Sequence, residues 1–120
     1  MPDSTRTVAT LKEAVLRFAA EREWEPYHSP KNLVMGLAVE AAELMEHFLW
    51  MENAASREIV RDPARLSEVA DEMADVAVYL LNLSLTLGVD LSDAILAKIA
   101  KNAAKYPVEK VRGQYGVKPE

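Results

Sequence analysis

Residues 29 to 50 read SPKNLVMGLAVEAAELMEHFLW. A serine can cap a helix start, and a proline fits the first helical position because its missing N–H is one that a helix start leaves unpaired anyway. Neither Pro nor a Gly-rich stop follows, so the spacing predicts a helix from about Pro30 to Glu52. Leu33, Val34, Met35, Leu37, Ala38, Val39, Ala41, Ala42, Leu44 and Met45 make it apolar on nearly every side, more than one small bundle needs for its own core. Burial against a second copy of the chain accounts for this most simply, and self-association is expected. A helix this apolar has no evident reason to carry Glu40, Glu43 and Glu46.

Three more helices flank it. Val8, Leu11, Val15, Phe18 and Ala19 recur at helical spacing between Thr7 and Glu23, behind a Ser/Thr cluster suited to capping. Asp62-Pro63 repeats the cap-then-proline signature and predicts a helix from about Pro63 to Leu87, stopped by Gly88. A fourth helix restarts after Asp90, runs to about Lys105 and is closed by Pro107. No segment alternates like a strand, so an all-α, four-helix bundle-type fold follows. We expect one domain over residues 1–120, with a core at about 7–107, a mobile N-terminus and a short C-terminal tail.

Composition narrows the function. Half of the 120 residues are hydrophobic and 28% are charged, which describes a compact globular chain. A net charge of -5 disfavours binding to a nucleic acid polymer. With no cysteine, disulfides, thiolate metal sites and cysteine nucleophiles are excluded, and the usage suits a reducing cytosol. The N-terminus has no apolar signal core and no stretch reaches membrane-spanning length, so a cytoplasmic protein without a membrane partner is expected.

Chemistry lies in two acidic stripes. Glu40, Glu43, His47 and Trp50 fall on one narrow line of the second helix, with Asn32 and Gly36 on the same line and Glu46 at its margin. Glu72, Asp75, Tyr79 and Asn82 repeat the same offsets on the third. Carboxylates three apart ordinarily mark a solvated face, but such a face relieves repulsion with Lys or Arg one turn away. Positions 36, 39, 44, 47, 76 and 79 supply none. A cation is expected between the stripes. Four carboxylates without Cys or a Glu-x-x-His spacing suit a hard ion, Mg²⁺ with Mn²⁺ as substitute, and hence metal-assisted phosphate-ester chemistry. Lys98, Lys101, Asn102 and Lys105 share a flank of the fourth helix and offer donors to phosphate oxygens.

The pattern Glu40-Ala41-Ala42-Glu43 followed by Glu72-Met73-Ala74-Asp75 resembles the ExxE and ExxD motifs of the MazG-like all-α nucleoside triphosphate pyrophosphatases. FAAEREWEPYHSPKNL at 18–33, EAAELMEHFLW at 40–50, DEMADVAVYLL at 71–81 and KIAKNAAKYP at 98–107 look closest to the dCTP pyrophosphatase branch. The resemblance implies hydrolysis of dCTP or a modified dCTP between the α and β phosphates, as nucleotide-pool housecleaning, with Mg²⁺ held by Glu40, Glu43, Glu72 and Asp75. In that reading a carboxylate of the Glu40–Glu43 pair is the base. It also implies that Trp24, His28 and Trp50 enclose base and sugar, that Tyr79 contacts the nucleotide, and that Lys98 and Asn102 hold phosphates; Asn32 joins the substrate-binding candidates. A homotetramer is implied, although dimeric relatives exist. Two positions depart from the animal enzymes, Val15 where they carry a base-contacting histidine and Met51 where they carry a lysine. The alternatives are a broad dNTP pyrophosphatase and a non-catalytic helical module that binds nucleotide or metal.

Overall fold

The computed structural model describes residues Pro2 to Gly116; the last residues of the expected tail, 117–120, lie outside the described residues, as does residue 1. It contains six helices and no strand among the described residues: α1 (Val8–Glu21), α2 (Pro30–Glu46), α3 (Asn53–Arg57), α4 (Pro63–Leu87), α5 (Leu91–Lys105) and α6 (Val108–Val111). Two compact units are distinguished, Met1–Gly88 and Val89–Glu120.

In the first unit each long helix starts on a side-chain cap. The Thr10 N–H donates to Thr7 Oγ1 at 3.1 Å, the Asn32 N–H to Ser29 Oγ at 3.2 Å and the Arg65 N–H to Asp62 Oδ1 at 3.2 Å. Each bond satisfies one of the donors that a helix start leaves without an intrahelical partner. Gly88 ends α4 in the left-handed region at φ 67°, where a side chain is strained. Between α1 and α2 the chain reverses through Glu23, whose φ of 52° is the only positive value at a non-glycine among the described residues. That reversal returns the Trp24 N–H to the Ala19 carbonyl at 3.0 Å and leads into a 3₁₀ turn over Glu25–Tyr27.

The expected end of the second helix is wrong by about six residues. After Glu46 the bonding tightens to three-residue turns, His47 N–H to Leu44 O at 3.3 Å and Phe48 N–H to Met45 O at 3.0 Å, and residues 47–50 form a turn. No Gly or Pro marks the change, so nothing in the local sequence announced it. The segment 53–61, between the second and third expected helices, holds α3 and a 3₁₀ turn over Glu58–Arg61.

The most extensive pairing runs between α2 and α4. Leu33, 1% exposed, anchors α2, while Val69 and Leu81 are buried on α4. Gly36 permits the close approach: a Cβ there would sit 2.6 Å from Cζ of the Tyr79 ring. Tyr79 thus lies over backbone that only glycine leaves bare. In the second unit, α5 is capped by Asp90 Oδ1, which accepts from the Asp93 N–H at 2.9 Å, and α6 follows Pro107.

Gly36→Ala should lower stability by about 1 kcal/mol in urea unfolding, since overpacking of about 1–3 kcal/mol outweighs the alanine's better helix propensity. In a Tyr79→Ala background the same change should be neutral or stabilising. Equal effects in both backgrounds would disprove the Gly36–Tyr79 constraint.

Candidate metal centre and adjoining cavity

Glu40 and Glu43 stand one turn apart on α2, and Glu72 and Asp75 one turn apart on α4. Because the two helices pair along their length, Glu40, Glu43 and Glu72 each bring a carboxylate oxygen within 4.8 Å of the others. Oε2 of Glu40 and Oε2 of Glu72 are buried without a hydrogen-bond partner. Burial of an acceptor with nothing to accept from is costly, so these oxygens are shaped for something the chain does not supply. The ion pairs Arg22–Glu21 and Arg61–Glu58 lie outside the cluster.

Desolvation, then the adjacent Glu43, Glu72 and Asp75, push the Glu40 carboxyl from 4.5 up to about 7. Glu72 is also raised, by desolvation and by the charges of Glu43 and Asp75, against a lowering hydrogen bond with Glu40. As two carboxylates these groups share no hydrogen; once Glu40 is protonated it donates to Glu72, and one proton serves the pair. A divalent cation supplies the same compensation without a proton. The donor set, all carboxylate oxygen, fits a hard ion.

Beside the cluster lies a cavity of about 210 Å³. Val15, Phe18 and Ala19 of α1 form one wall, Trp24 and His28 of the following turn a second, and Val78, Tyr79 and Asn82 of α4 a third; Glu40 and Asp75 join the cavity to the acidic cluster. The Phe18 and Trp24 rings meet edge to face with centroids 5.6 Å apart. The Arg22 guanidinium sits 3.7 Å over the Phe18 ring, and Nη1 donates to the Phe18 carbonyl at 3.1 Å. His28 Nδ1 and Asn82 Nδ2 are 3.0 Å apart.

Of the residues selected from the sequence, the structure therefore brings together Glu40, Glu43, Glu72 and Asp75 and, in the cavity, Trp24, His28 and Tyr79. Asn32 is turned to another task, its Nδ2 donating to the Tyr27 carbonyl at 3.1 Å and bracing the turn before α2. Trp50 lies beyond the end of α2, 91% exposed and apart from the cavity lining, because the helix that would have carried it onto the stripe stops at Glu46. Lys98 and Asn102 occupy successive turns of α5 in the second unit, both exposed. Sequence reasoning did not select Phe18, Ala19 or Val78, which read as ordinary core positions. It placed Asn82 on the acidic stripe without assigning it a role.

A model of the MazG-like family matches residues 36–116, a span that includes both acidic pairs. The chain belongs to the MazG-like family. Its sequence is 36% identical over 107 residues to dCTP pyrophosphatase 1 of Rattus norvegicus, covering 89% of this chain and 63% of the relative. It is 34% identical over 106 residues to dCTP pyrophosphatase 1 of Homo sapiens, covering 88% and 62%. The chain thus spans less than two thirds of the length of these curated relatives. A pyrophosphatase crystal structure from Archaeoglobus fulgidus superposes with a TM-score of 0.76 at 34% identity, covering 89% of this chain and 98% of that one. The MazG-like match starts at Gly36, so the α1 and Trp24–His28 walls of the cavity precede it.

The acidic cluster makes stability depend on pH with a definite sign. The folded Glu40 carboxyl holds its proton more tightly than the unfolded one, so metal-free protein should lose stability as pH rises from about 4.5 through about 7. Millimolar Mg²⁺ or Glu40→Gln should flatten that slope. Thermal unfolding between pH 4.5 and 8 checks this, and a metal-free protein most stable at pH 8 would contradict it.

Proposed function

We propose that the chain is a Mg²⁺-dependent nucleoside triphosphate pyrophosphohydrolase. It cleaves between the α and β phosphates to give a nucleoside monophosphate and pyrophosphate. The observation that carries the reading is the carboxylate cluster, with two buried unpartnered oxygens, opening onto an aromatic cavity of ligand-binding character. Its relatives' names and the pyrophosphatase likeness support the same reaction.

Glu40, Glu43, Glu72 and Asp75 hold the ion, which when bound offsets phosphate charge and makes water a better nucleophile. Glu40 or Glu43 takes the proton from the attacking water. Trp24, Phe18 and Tyr79 receive the base against aromatic surface, which any base accepts through its π-face. Lys98 and Asn102 are assigned to phosphate oxygens, and Trp50 to closing over the nucleotide. The substrate proposed is dCTP or a modified dCTP, in the setting of cytoplasmic nucleotide-pool housecleaning. Among the described residues no single helix is long and apolar enough to cross a membrane.

The working form is an oligomer, a homotetramer with a dimer as the smaller alternative. Met35 and Val39, one turn apart on α2, are each 57% exposed, and Val34 and Met45 of the same helix are exposed as well. So much apolar surface on the central helix is characteristic of an interface.

Pyrophosphate release from a panel of dNTPs with Mg²⁺ tests the function. We expect dCTP to be turned over, chelation to abolish the reaction, and Glu43→Gln to reduce kcat by about 100-fold or more at unchanged helical circular dichroism. Orthophosphate as the product, or full activity of the variant, would refute the assignment; equal turnover of all dNTPs would favour a broad-specificity enzyme. Separately, Met35→Lys with Val39→Lys should shift the mass in light scattering to the monomer, and an unaltered mass would remove α2 from the interface.

A further inference from the structure

The pair formed by His28 and Asn82 joins residues 54 positions apart in the chain. It links the turn before α2 to the third wall of the cavity, and both residues line that cavity. Asn82 follows Asp75 by seven residues on α4, about 10 Å along the axis at 1.5 Å per residue. That is the order of distance separating the α-phosphorus of an extended nucleotide from the far edge of its base. The other non-acidic lining groups are aliphatic or aromatic, and of these only Trp24 and Tyr79 carry a polar handle. An edge-reading contact in the cavity therefore falls to the amide–imidazole pair.

The bond has a direction. Nδ2 is the Asn82 atom at 3.0 Å, and an amide nitrogen only donates, so His28 Nδ1 accepts and the neutral ring carries its proton on Nε2. An amide held through its nitrogen has its oxygen orientation fixed as well. Asn82 Oδ1 is then an acceptor set in place before any ligand arrives. An exocyclic amino group satisfies it, whereas a keto oxygen opposes one acceptor to another.

We propose that Asn82 reads the base edge, selecting an exocyclic amino group over a keto oxygen, and that His28 is the positioning residue that fixes the amide. The proposal rests on the nucleotide-hydrolase reading above and adds the residue that selects the base, favouring amino-bearing bases with cytosine as the pyrimidine member. The rotated alternative, with His28 protonated at Nδ1 and Asn82 Nδ2 free, gives the opposite preference.

The test compares kcat/KM for dCTP and dUTP, which differ at this edge by amino against keto, with pyrophosphate as readout on the full chain with Mg²⁺. Wild type should prefer dCTP. Asn82→Leu, similar in size but without the amide, should lower the dCTP/dUTP ratio by about 10- to 100-fold, the loss falling on dCTP and not in parallel on dUTP. Asn82→Asp keeps an acceptor and should keep the preference for dCTP, which also separates loss of reading from loss of fold. His28→Ala should erode the ratio and His28→Gln, with an acceptor of its own, should restore much of it. A wild-type preference for dUTP, or a ratio indifferent to Asn82→Leu, overturns the proposal while the hydrolase reading stands. No pyrophosphate from any nucleotide overturns the hydrolase reading and this proposal with it.

Discussion

Glu40, Glu43, Glu72 and Asp75 repel one another, and the packing of α2 on α4 holds them together against that repulsion. Close approach of the helices sets how near the carboxylates come, and close approach is possible because Gly36 leaves room for the Tyr79 ring. The same contact places Tyr79 at the cavity next to Asp75 and Glu40. One packing constraint therefore determines both the density of negative charge and the shape of the space beside it. Two buried oxygens without donors record what is being held in reserve: the site is completed by a proton or by a cation, and the protein's own basic residues at Arg22 and Arg61 are engaged elsewhere.

The turn between α1 and α2 is the second determinant. It is short, carries a non-glycine residue in the left-handed region at Glu23, and is tied down by Trp24 to Ala19, by Asn32 to Tyr27 and by His28 to Asn82. Such multiple anchoring is what allows a loop to present side chains as rigidly as a helix does. Trp24 and His28 thereby become parts of a wall. The family-model match begins beyond this segment, at Gly36, while the likeness to the dCTP pyrophosphatase relatives covers 89% of this chain, too much to leave Trp24 and His28 out.

Much of the architecture was legible because it is written in local chemistry. Ser29-Pro30, Asp62-Pro63, Gly88 and Asp90 each act on backbone groups within four residues, and the helix limits they imply at Pro30, Pro63, Leu87 and Leu91 match the structure. The end of α2 was not legible, since a change to three-residue turns after Glu46 left no Gly or Pro behind. That single miss carried Trp50 off its expected stripe. Asn32 illustrates another limit: it lies in the first turn of α2, but its amide bonds the Tyr27 carbonyl, a partner five residues back across a turn that periodicity does not describe.

From sequence alone follow the all-α class, the caps and the two acidic pairs without basic neighbours, because each depends on the fixed period of one helix. Tertiary structure decided which groups converge. It set three carboxylates within 4.8 Å, lined a cavity beside them with Phe18 and Ala19 of α1, which read as plain core, and paired His28 with Asn82 across 54 residues. Those arrangements depend on how separate helices approach and where a turn aims its side chains. Long-range packing determines both, and no local pattern encodes them.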